Sequence, residues 1–227
     1  MEAAQSIGMD GADGRDHHVD QAGASRLGKR CFDITVAAAL LVFFAPLLLL
    51  LAVAVKVHDG GPVMFRQNRL GRGGRHFRIA KFRTMVVDAE ARLHANPDLY
   101  ERYIRNGCKL DLVEDVRVSR LGRFLRASSL DELPQLLNVL SGEMSLVGPR
   151  PIVQVELVEY TGRGAARAYL NSRPGLTGLW QVSGRNRLGY DDRVQLDLVY
   201  LAECSMATDL RILLRTPLAV LRRDGVH

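Results

Sequence analysis

The 227-residue chain has few cysteines, and their placement excludes two classes of protein. Cys31, Cys108 and Cys204 are odd in number, lie far apart and form no Cys-x-x-Cys pair. This excludes a scaffold built on disulfides and a zinc site built on cysteine pairs, and it indicates that most of the chain faces a reducing compartment. Hydrophobic residues make up 47% of the chain and charged residues 25%, which excludes a wholly disordered protein and one with many membrane spans.

Acidic residues are scarce in one part of the chain. Residues 26–83 contain eleven lysines and arginines but only two acids, Asp33 and Asp59. This local excess of positive charge is larger than the net charge of the whole chain, which is +6. Such a concentrated basic zone predicts an anionic partner, which could be nucleic acid, lipid headgroups or a phosphorylated substrate.

Charged side chains are absent from residues 34–55, where Thr35 is the only polar residue. With a rise of about 1.5 Å per residue, a helix over this segment would be about 33 Å long and could cross a hydrocarbon core. A buried helix of a soluble core rarely reaches this length. We therefore predict that the segment contacts lipid. A nucleic-acid partner is not expected, because DNA binding does not explain an apolar run inside the basic zone.

Two features of this segment argue against a simple crossing. Pro46 removes a backbone donor in the middle of the run, which costs about 3 kcal/mol in a straight helix. Basic residues flank both ends, so the positive-inside rule assigns both ends to the cytoplasm. Residues 26–57 are therefore predicted to form a re-entrant membrane helix that bends at Pro46, with a kinked spanning helix as the alternative.

The segments on either side of the membrane helix differ in composition. Residues 1–25 have no apolar period and predict a disordered tail, which is acidic and too long before the apolar core for a signal peptide. Residues 58–227 would form the catalytic or binding domain. It begins with two short strands, 63–67 and 76–82, joined by a link rich in glycine and arginine, which predicts a small basic β-hairpin.

The rest of the domain is predicted to be helical, so that the fold class is α+β and mostly helical. A polar helix over residues 86–106 is interrupted near Pro97, and further helices cover residues 192–204 and 209–223. The last helix has leucines on one side and arginines on the other. It is either an amphipathic interfacial helix at the membrane surface or an ordinary helix that packs on the domain.

Asp131 and Glu132 lie at the predicted start of another helix. Leucines follow at helical spacing, and Pro134 falls in the first turn, where proline is tolerated. A helix N-terminus favours an ionised Asp131 and attracts phosphate. An ionised carboxylate can attack phosphorus, and its neighbour can hold Mg²⁺. The alternative is that Ser129 and Glu132 form a capping box and Asp131 only complements the helix dipole.

Four arginines in or near turns accompany the acid pair. Arg126 lies five positions before Asp131, and Arg150 stands between two prolines. Arg173 precedes a Pro-Gly turn, and Arg185 follows a Ser-Gly turn. Guanidinium groups suit phosphate oxygens because they present paired donors in a fixed plane. The combination of arginines, acid pair and apolar segment predicts phosphate chemistry at a membrane.

At this point the chain resembles a known family, the bacterial sugar transferases, or monotopic phosphoglycosyl transferases, which begin polysaccharide assembly on a polyprenol carrier. The resemblance covers roughly residues 26–223. It rests on the stretches KRCFD (29–33), GPVMFRQ (61–67), KFRTM (81–85), SLDELPQ (129–135), MSLVGPRP (144–151), PGLTG (174–178) and QVSGR (181–185).

The resemblance implies a re-entrant helix in the bacterial inner membrane, a cytoplasmic phosphoglycosyl transferase domain (residues 58–227) and a ping-pong reaction. Asp131 would attack the β-phosphate of a UDP-sugar and release UMP, with Glu132 as a catalytic residue and the Mg²⁺ ligand. Undecaprenyl phosphate would then take the phosphosugar, a hexose-1-phosphate in the exopolysaccharide enzymes that the chain resembles most. The cations around the phosphates and nucleotide would be Lys81, Arg126, Arg150 and Arg185.

One departure and several alternatives remain. The break in the family's membrane helix is commonly Ser-Pro, whereas this chain has Ala45 before Pro46. Another partner must therefore bond the carbonyl that the proline frees. The alternatives are a non-catalytic membrane-bound module, although an inactive homologue would be expected to lose the acid pair, and a phosphodiesterase that needs no lipid acceptor. The sugar and the oligomeric state, including a homo-oligomer, stay open.

Overall fold

The computed structural model describes the backbone of residues 13–106 and 110–221, and the side chains from residue 26 onwards except that of residue 186. Residues 1–12, 107–109 and 222–227 lie outside the described residues. Most of the first half of the predicted disordered tail and the end of the last predicted helix fall there.

The first helix, α1, extends from Asp13 to Asp59 and contains Pro46 without an interruption of the helix. It begins thirteen residues before the predicted start at residue 26, inside the predicted tail. Extension of an existing helix adds one hydrogen bond per residue, so it is easier than starting a new one. Among the described residues, one helical stretch, Arg26–Asp59, is long and apolar enough to cross a membrane, with a mean hydropathy of 2.9.

A basic β-hairpin follows α1. Strands β1 (Met64–Leu70) and β2 (His76–Phe82) pair antiparallel, with Met64 opposite Phe82 and Leu70 opposite His76. β2 has the predicted bounds, whereas β1 continues to Leu70, which is 1% exposed and whose N–H donates to the Ile152 carbonyl at 2.8 Å. The longer strand is thus stabilised by a contact with a distant part of the chain.

Helices and short turns make up most of the remaining domain, and the fold is α+β as predicted. A second, two-stranded parallel sheet pairs β3 (Ser145–Val147) with β4 (Gly175–Thr177). A 3-10 helix, Leu130–Gln135, stands between α4 and α5. The helices are α2 (Ala89–His94), α3 (Pro97–Arg105), α4 (Arg120–Ser128), α5 (Leu136–Ser141), α6 (Leu157–Gly162), α7 (Ala166–Asn171), α8 (Leu179–Ser183), α9 (Tyr190–Glu203) and α10 (Met206–Leu221).

The part of α1 before Pro46 is bonded to the domain. Arg30 donates to the carbonyls of Val139 and Leu140 at 2.6 and 2.9 Å, near the end of α5, where a cation complements the helix dipole. Asp33 is 2% exposed and accepts bonds from the Ser145 hydroxyl at 2.8 Å and the Leu146 N–H at 3.1 Å. These bonds fix the start of the apolar segment to α5 and β3.

The part of α1 after Pro46 packs against the same domain. Leu51 and Val55 are buried in a hydrophobic cluster with Phe82 and Leu125, on β2 and α4. Asp59 at the end of the helix accepts a bond from Arg83 at 3.0 Å. Both ends of the apolar segment are therefore attached to one domain, while side chains near its middle, such as Val42 at 77%, are exposed.

Candidate active site

A cavity of about 400 Å³ lies between the hairpin, α4, the 3-10 helix, β4 and α8. Glycines allow the chain segments behind it to approach closely. A Cβ atom on Gly175 would lie 2.1 Å from the Gly148 nitrogen, so neither position has room for a side chain. The lining includes all six residues that the sequence predicts for the site: Lys81, Arg126, Asp131, Glu132, Arg150 and Arg185.

The acid pair lies in the 3-10 helix, and the predicted capping box is wrong. Ser129 ends α4 in the left-handed conformation with φ 57°, whereas an N-cap residue needs an extended backbone. Its hydroxyl accepts a bond from the Arg185 guanidinium, and it makes no side-chain cap. Glu132 bonds to Lys81 at 2.6 Å. Because α4 ends where a new helix was expected to begin, the acids are presented to the cavity.

Asp131 is only 8% exposed. Burial, together with the negative charge of Glu132, raises the pKa of Asp131 to about 7, while Lys81 and Arg126 act in the opposite direction. Near neutral pH, both the protonated and the ionised forms of this carboxyl are therefore present. An ionised carboxylate in so dry a position is poorly solvated, which favours its reaction with an electrophile.

Glu132 differs from its neighbour. Although burial acts to raise it, the charge and hydrogen bond of Lys81, followed by the charges of Arg185 and Arg150, lower the pKa of Glu132 below its ordinary value. Glu132 therefore stays ionised. When two adjacent carboxyls have pKa values that are moved apart, they are suited to different chemical roles.

Arg150 is held by its backbone. Its N–H donates to the Asp197 carboxylate at 2.9 Å, and its carbonyl accepts from the Tyr169 hydroxyl at 2.8 Å. The guanidinium lies over the Trp180 ring, 5.5 Å from the centroid, and its Nε has no hydrogen-bond partner among the described residues. Asp197 also accepts from the Tyr160 hydroxyl at 2.8 Å. The flanking prolines and these bonds leave the guanidinium free to bind an anion.

Arg126 and Arg185 are anchored through one part of each side chain. Arg126 Nε donates to the Thr84 hydroxyl at 2.9 Å. Arg185 has a positive φ of 53° and donates to Ser129, whereas its Nη1 is buried with no partner among the described residues. Each guanidinium is thus oriented and still has donors for phosphate oxygens.

The structure adds one cation to the site and removes another. Arg69, which the sequence placed only in the basic hairpin, lines the cavity and donates to Gln67 at 2.7 Å and to the Pro151 carbonyl at 3.4 Å. No local motif distinguishes it from the other hairpin arginines. Arg173 lies elsewhere, because its Nε donates to the Gly142 carbonyl at 2.8 Å.

The donor set fits a metal ion only in part. No group of three or more His, Cys, Asp or Glu residues able to hold a metal occurs within the described ranges. Mg²⁺, however, is commonly held by one or two carboxylates and completed by substrate phosphates and water. Asp131 and Glu132 supply such carboxylates in a cavity that also has cations for phosphate. The residues therefore fit a Mg²⁺ site completed by substrate, and do not fit one built from protein ligands alone.

Comparisons with known proteins agree with this geometry. Residues 24–223 match the family model of the bacterial sugar transferases. The chain is 46% identical over 205 residues to the exopolysaccharide production protein ExoY of Rhizobium meliloti, covering 88% of each protein. It is 44% identical over 208 residues to the UDP-glucose:undecaprenyl-phosphate glucose-1-phosphate transferase of Caulobacter vibrioides, covering 88% of this chain and 72% of that protein.

A third relative is longer. The chain is 44% identical over 207 residues to the undecaprenyl-phosphate galactose phosphotransferase of Salmonella typhimurium. The match covers 90% of this chain but 42% of that protein, so the chain spans less than half of its length. The family match over nearly the whole chain and the identity to three relatives lead to one conclusion. The chain belongs to the bacterial sugar transferase family.

Proposed function

We propose that the protein transfers a sugar-1-phosphate from a UDP-sugar to undecaprenyl phosphate and releases UMP. The observation that carries the proposal is the pair of adjacent carboxyls with pKa values moved apart, in a cavity lined by five cations. The cavity of about 400 Å³ is within the size range of small-molecule sites. The names of the relatives from Salmonella and Caulobacter support undecaprenyl phosphate as the acceptor.

Asp131 is the nucleophile in this reaction. Its carboxylate oxygen attacks the phosphorus that carries the sugar, and the bond from that phosphorus to the bridging oxygen of the diphosphate breaks, so UMP leaves. A phosphate oxygen of the lipid acceptor then attacks the same phosphorus and frees the Asp131 carboxylate. The two displacements convert UDP-sugar and lipid phosphate into lipid diphosphate sugar and UMP.

The cations neutralise charge in both displacements. Arg126, Arg150 and Arg185 have oriented guanidinium groups with donors for the phosphate oxygens, on which charge increases as the leaving group departs. Lys81 holds one oxygen of Glu132. Fixed donors in a partly dry cavity need no reorganisation during the reaction, which is why they lower its barrier.

Glu132 is the proposed Mg²⁺ ligand. Its pKa is below the ordinary value, so the carboxylate is ionised at neutral pH and can bind a cation. When bound, Mg²⁺ screens the repulsion between the diphosphate and the acid pair and neutralises charge on the transferred group. Lys81 keeps the carboxylate oriented before the metal and the donor arrive.

The proposed setting is the bacterial inner membrane, with residues 26–57 as a re-entrant helix and residues 58–227 facing the cytoplasm. Bonds from Arg30 and Asp33 and packing of Val55 attach both ends of the apolar segment to one domain. In a straight spanning helix of about 33 Å, the two ends would lie at opposite faces of the bilayer. Attachment of both ends to one domain supports entry and exit at the same face.

The donor class is a UDP-hexose, with glucose or galactose as the sugar. These are the sugars in the names of the Caulobacter and Salmonella relatives. The product would begin the assembly of an exopolysaccharide or another glycan, in agreement with the name of the Rhizobium relative.

The test is to incubate the purified full chain with Mg²⁺, undecaprenyl phosphate and a panel of UDP-sugars, and to identify the nucleotide released. UMP together with lipid-linked sugar supports phosphosugar transfer, and the preferred panel member identifies the donor. UDP would indicate ordinary glycosyl transfer. UMP formed equally well without the lipid would indicate a phosphodiesterase, and no nucleotide at all would indicate a non-catalytic module.

Asp131→Asn tests the nucleophile. We expect this variant to release no UMP and to form no covalent phosphosugar adduct, because an amide does not attack phosphorus. Intact-protein mass spectrometry after donor is added without acceptor measures the adduct. Asp98→Asn, at an exposed position of α3, is the matched control and should behave as the wild type. An adduct on the Asp131→Asn protein would refute the assignment.

A further inference from the structure

A second cavity, of about 340 Å³, lies apart from the reaction cavity. It is formed by the first described side chains of α1, the turn of the hairpin, the end of α7 and the junction of α9 with α10. β3 contributes Ser145 and Val147 to it, whereas β4 contributes Gly175 and Leu176 to the first cavity. The two cavities have no lining residue in common. The described residues therefore enclose two separate spaces.

The acids of this second cavity are already bonded within the protein. Asp33 accepts from Ser145 and Leu146, as described above. Asp209 is 2% exposed and is bonded to Lys29 and to the Tyr200 hydroxyl, the latter at 2.8 Å. Neither carboxylate is therefore available to neutralise the remaining cations of the lining.

Three arginines of the lining have no acidic partner. Arg26 and Arg72 are exposed and form no side-chain hydrogen bond or ion pair with the described residues. Arg173 donates only to the Gly142 carbonyl. Burial, together with the charges of Arg72 and Arg30, lowers the pKa of Arg173, which is the effect of cations that repel one another. This cluster therefore has an excess of positive charge that an anion would stabilise.

The position of the cavity along α1 indicates the origin of that anion. Arg26 and Lys29 precede the apolar segment, which begins at Ile34, by eight and five residues. This is about 8–12 Å along a helix, the depth of the headgroups next to a hydrocarbon core.

Apolar side chains lie beside the cations. Met206 lines the cavity and is 39% exposed, and α10 continues from it with Leu210 and Leu214, which are 44% and 81% exposed. A soluble phosphate would contact only the arginines. A lipid would also cover this exposed apolar face with its acyl chains, so the arrangement favours a lipid.

We propose that this second cavity binds the phosphate headgroup of an anionic membrane lipid, with the acyl chains against the start of α10. The lipid is not a substrate, because the site is separate from the acid pair. The proposal depends on contact of α1 with the membrane and does not depend on the transfer reaction. It gives the domain a second attachment to the bilayer besides the apolar segment.

Native mass spectrometry of the detergent-solubilised full chain, titrated with phosphatidylglycerol or phosphatidylcholine, tests the proposal. Phosphatidylglycerol should bind more tightly, and Arg72→Gln and Arg26→Gln should each weaken it by about fivefold, as expected for one cation at an anionic lipid surface. Both side chains are exposed, so neither variant should unfold the protein. Arg75→Gln, in the same hairpin turn but outside the cavity lining, is the matched control.

Four results would overturn the proposal. The first is equal binding of the two lipids, and the second is wild-type affinity for phosphatidylglycerol in both variants. The third is competition by millimolar inorganic phosphate, which would make the ligand a soluble anion. The fourth is loss of UMP release by Arg72→Gln in detergent, which would place Arg72 in the reaction site. If the protein released no UMP at all, the lipid titration would still decide the present proposal by itself.

Discussion

Two adjacent residues in this protein have opposite electrostatic surroundings. Asp131 is buried and lies next to a negative charge, which raises its pKa to about 7. Glu132 is bonded to Lys81, and its pKa is lowered. Residue type and spacing alone would assign similar values to both. The difference depends on which side chains from β2, α4 and α8 surround each carboxyl, and it supports separate roles as nucleophile and metal ligand.

Glu132→Gln tests the second role. We expect the rate of UMP release to fall by about tenfold or more and the Mg²⁺ concentration for half-maximal rate to rise, because a neutral amide holds the cation poorly. A Mg²⁺ titration of the purified variant measures both quantities. Glu203→Gln, at an exposed position of α9, is the control. A Mg²⁺ titration curve identical to that of the wild type would contradict the role of Glu132 as ligand.

Asp197 links the stability of the protein to pH. Burial raises the pKa of Asp197 from 3.8 to about 6, although it accepts bonds from the Arg150 N–H and the Tyr160 hydroxyl. The folded protein therefore holds this proton more tightly than the unfolded chain does. The resulting stabilisation is complete below pH 3.8 and is lost as the pH rises through about 6.

Asp197→Asn removes this dependence and keeps an oxygen that can accept both bonds. Between pH 4 and 7, we expect the free energy of unfolding of the wild type to fall relative to that of the variant by about 3 kcal/mol, the value of a two-unit pKa shift. Denaturant unfolding in detergent at several pH values measures the difference. Parallel pH profiles for the two proteins would show that the Asp197 carboxyl is not perturbed in this way.

At the scale of elements, the contact between α4 and the chain after β2 positions one wall of the active site. Ser119 caps α4 by accepting from the Gly122 N–H at 2.9 Å, and its own N–H donates to the Thr84 carbonyl at 3.1 Å. A Cβ atom on Gly122 would lie 1.9 Å from that carbonyl oxygen. Glycine is therefore required for the approach that lets Arg126 bond to the Thr84 hydroxyl.

Gly122→Ala should separate these two elements. We expect a loss of about 1–3 kcal/mol in the free energy of unfolding, because the neighbouring atoms belong to backbone and cannot rotate away. UMP release should fall as well, since the Arg126–Thr84 bond is displaced. Gly162→Ala in α6 is the matched control, because its Cβ would meet no atom within 4 Å. It should leave stability unchanged or raise it by about 0.5–1 kcal/mol. Equal stability of the two variants would contradict the predicted clash.

At the scale of the whole molecule, the question is how one domain contacts both ends of an apolar helix. The carboxylate of Asp33 is bonded to β3, and Val55 packs against β2 and α4. A domain outside the bilayer can make both contacts only if both ends of the segment reach the same membrane face. The continuous helix through Pro46 leaves the sharpness of the bend to be measured in lipid.

Cysteine accessibility measures this orientation. Leu27→Cys and Val57→Cys place single thiols at positions that are 66% and 78% exposed, in a background without the native cysteines. In sealed inverted membrane vesicles, a membrane-impermeant reagent should label both thiols, because both ends would face the cytoplasm. Labelling of one position only in the sealed vesicles, with both labelled after detergent is added, would favour a spanning helix.

The sequence predicted most elements correctly where the signal is local. The bounds of β2 agree, and the predicted helix 192–204 corresponds to α9 (Tyr190–Glu203). The capping box failed because Ser129 is already the last residue of α4, which depends on where that helix docks. Arg173 was predicted with the phosphate-binding arginines, yet it bonds to Gly142 and faces another cavity. A turn motif does not indicate the direction in which its arginine points.

The sequence by itself determined the apolar segment, the basic hairpin, the acid pair and the family, because each depends on residue type and short-range spacing. Only the tertiary structure decided which cations meet the acid pair and how far the two pKa values are separated. Lys81 is 51 positions from Glu132, and Arg185 is 56 positions from Ser129. Burial and Coulomb interactions depend on distances in space, and local patterns in a sequence do not specify distances between residues so far apart.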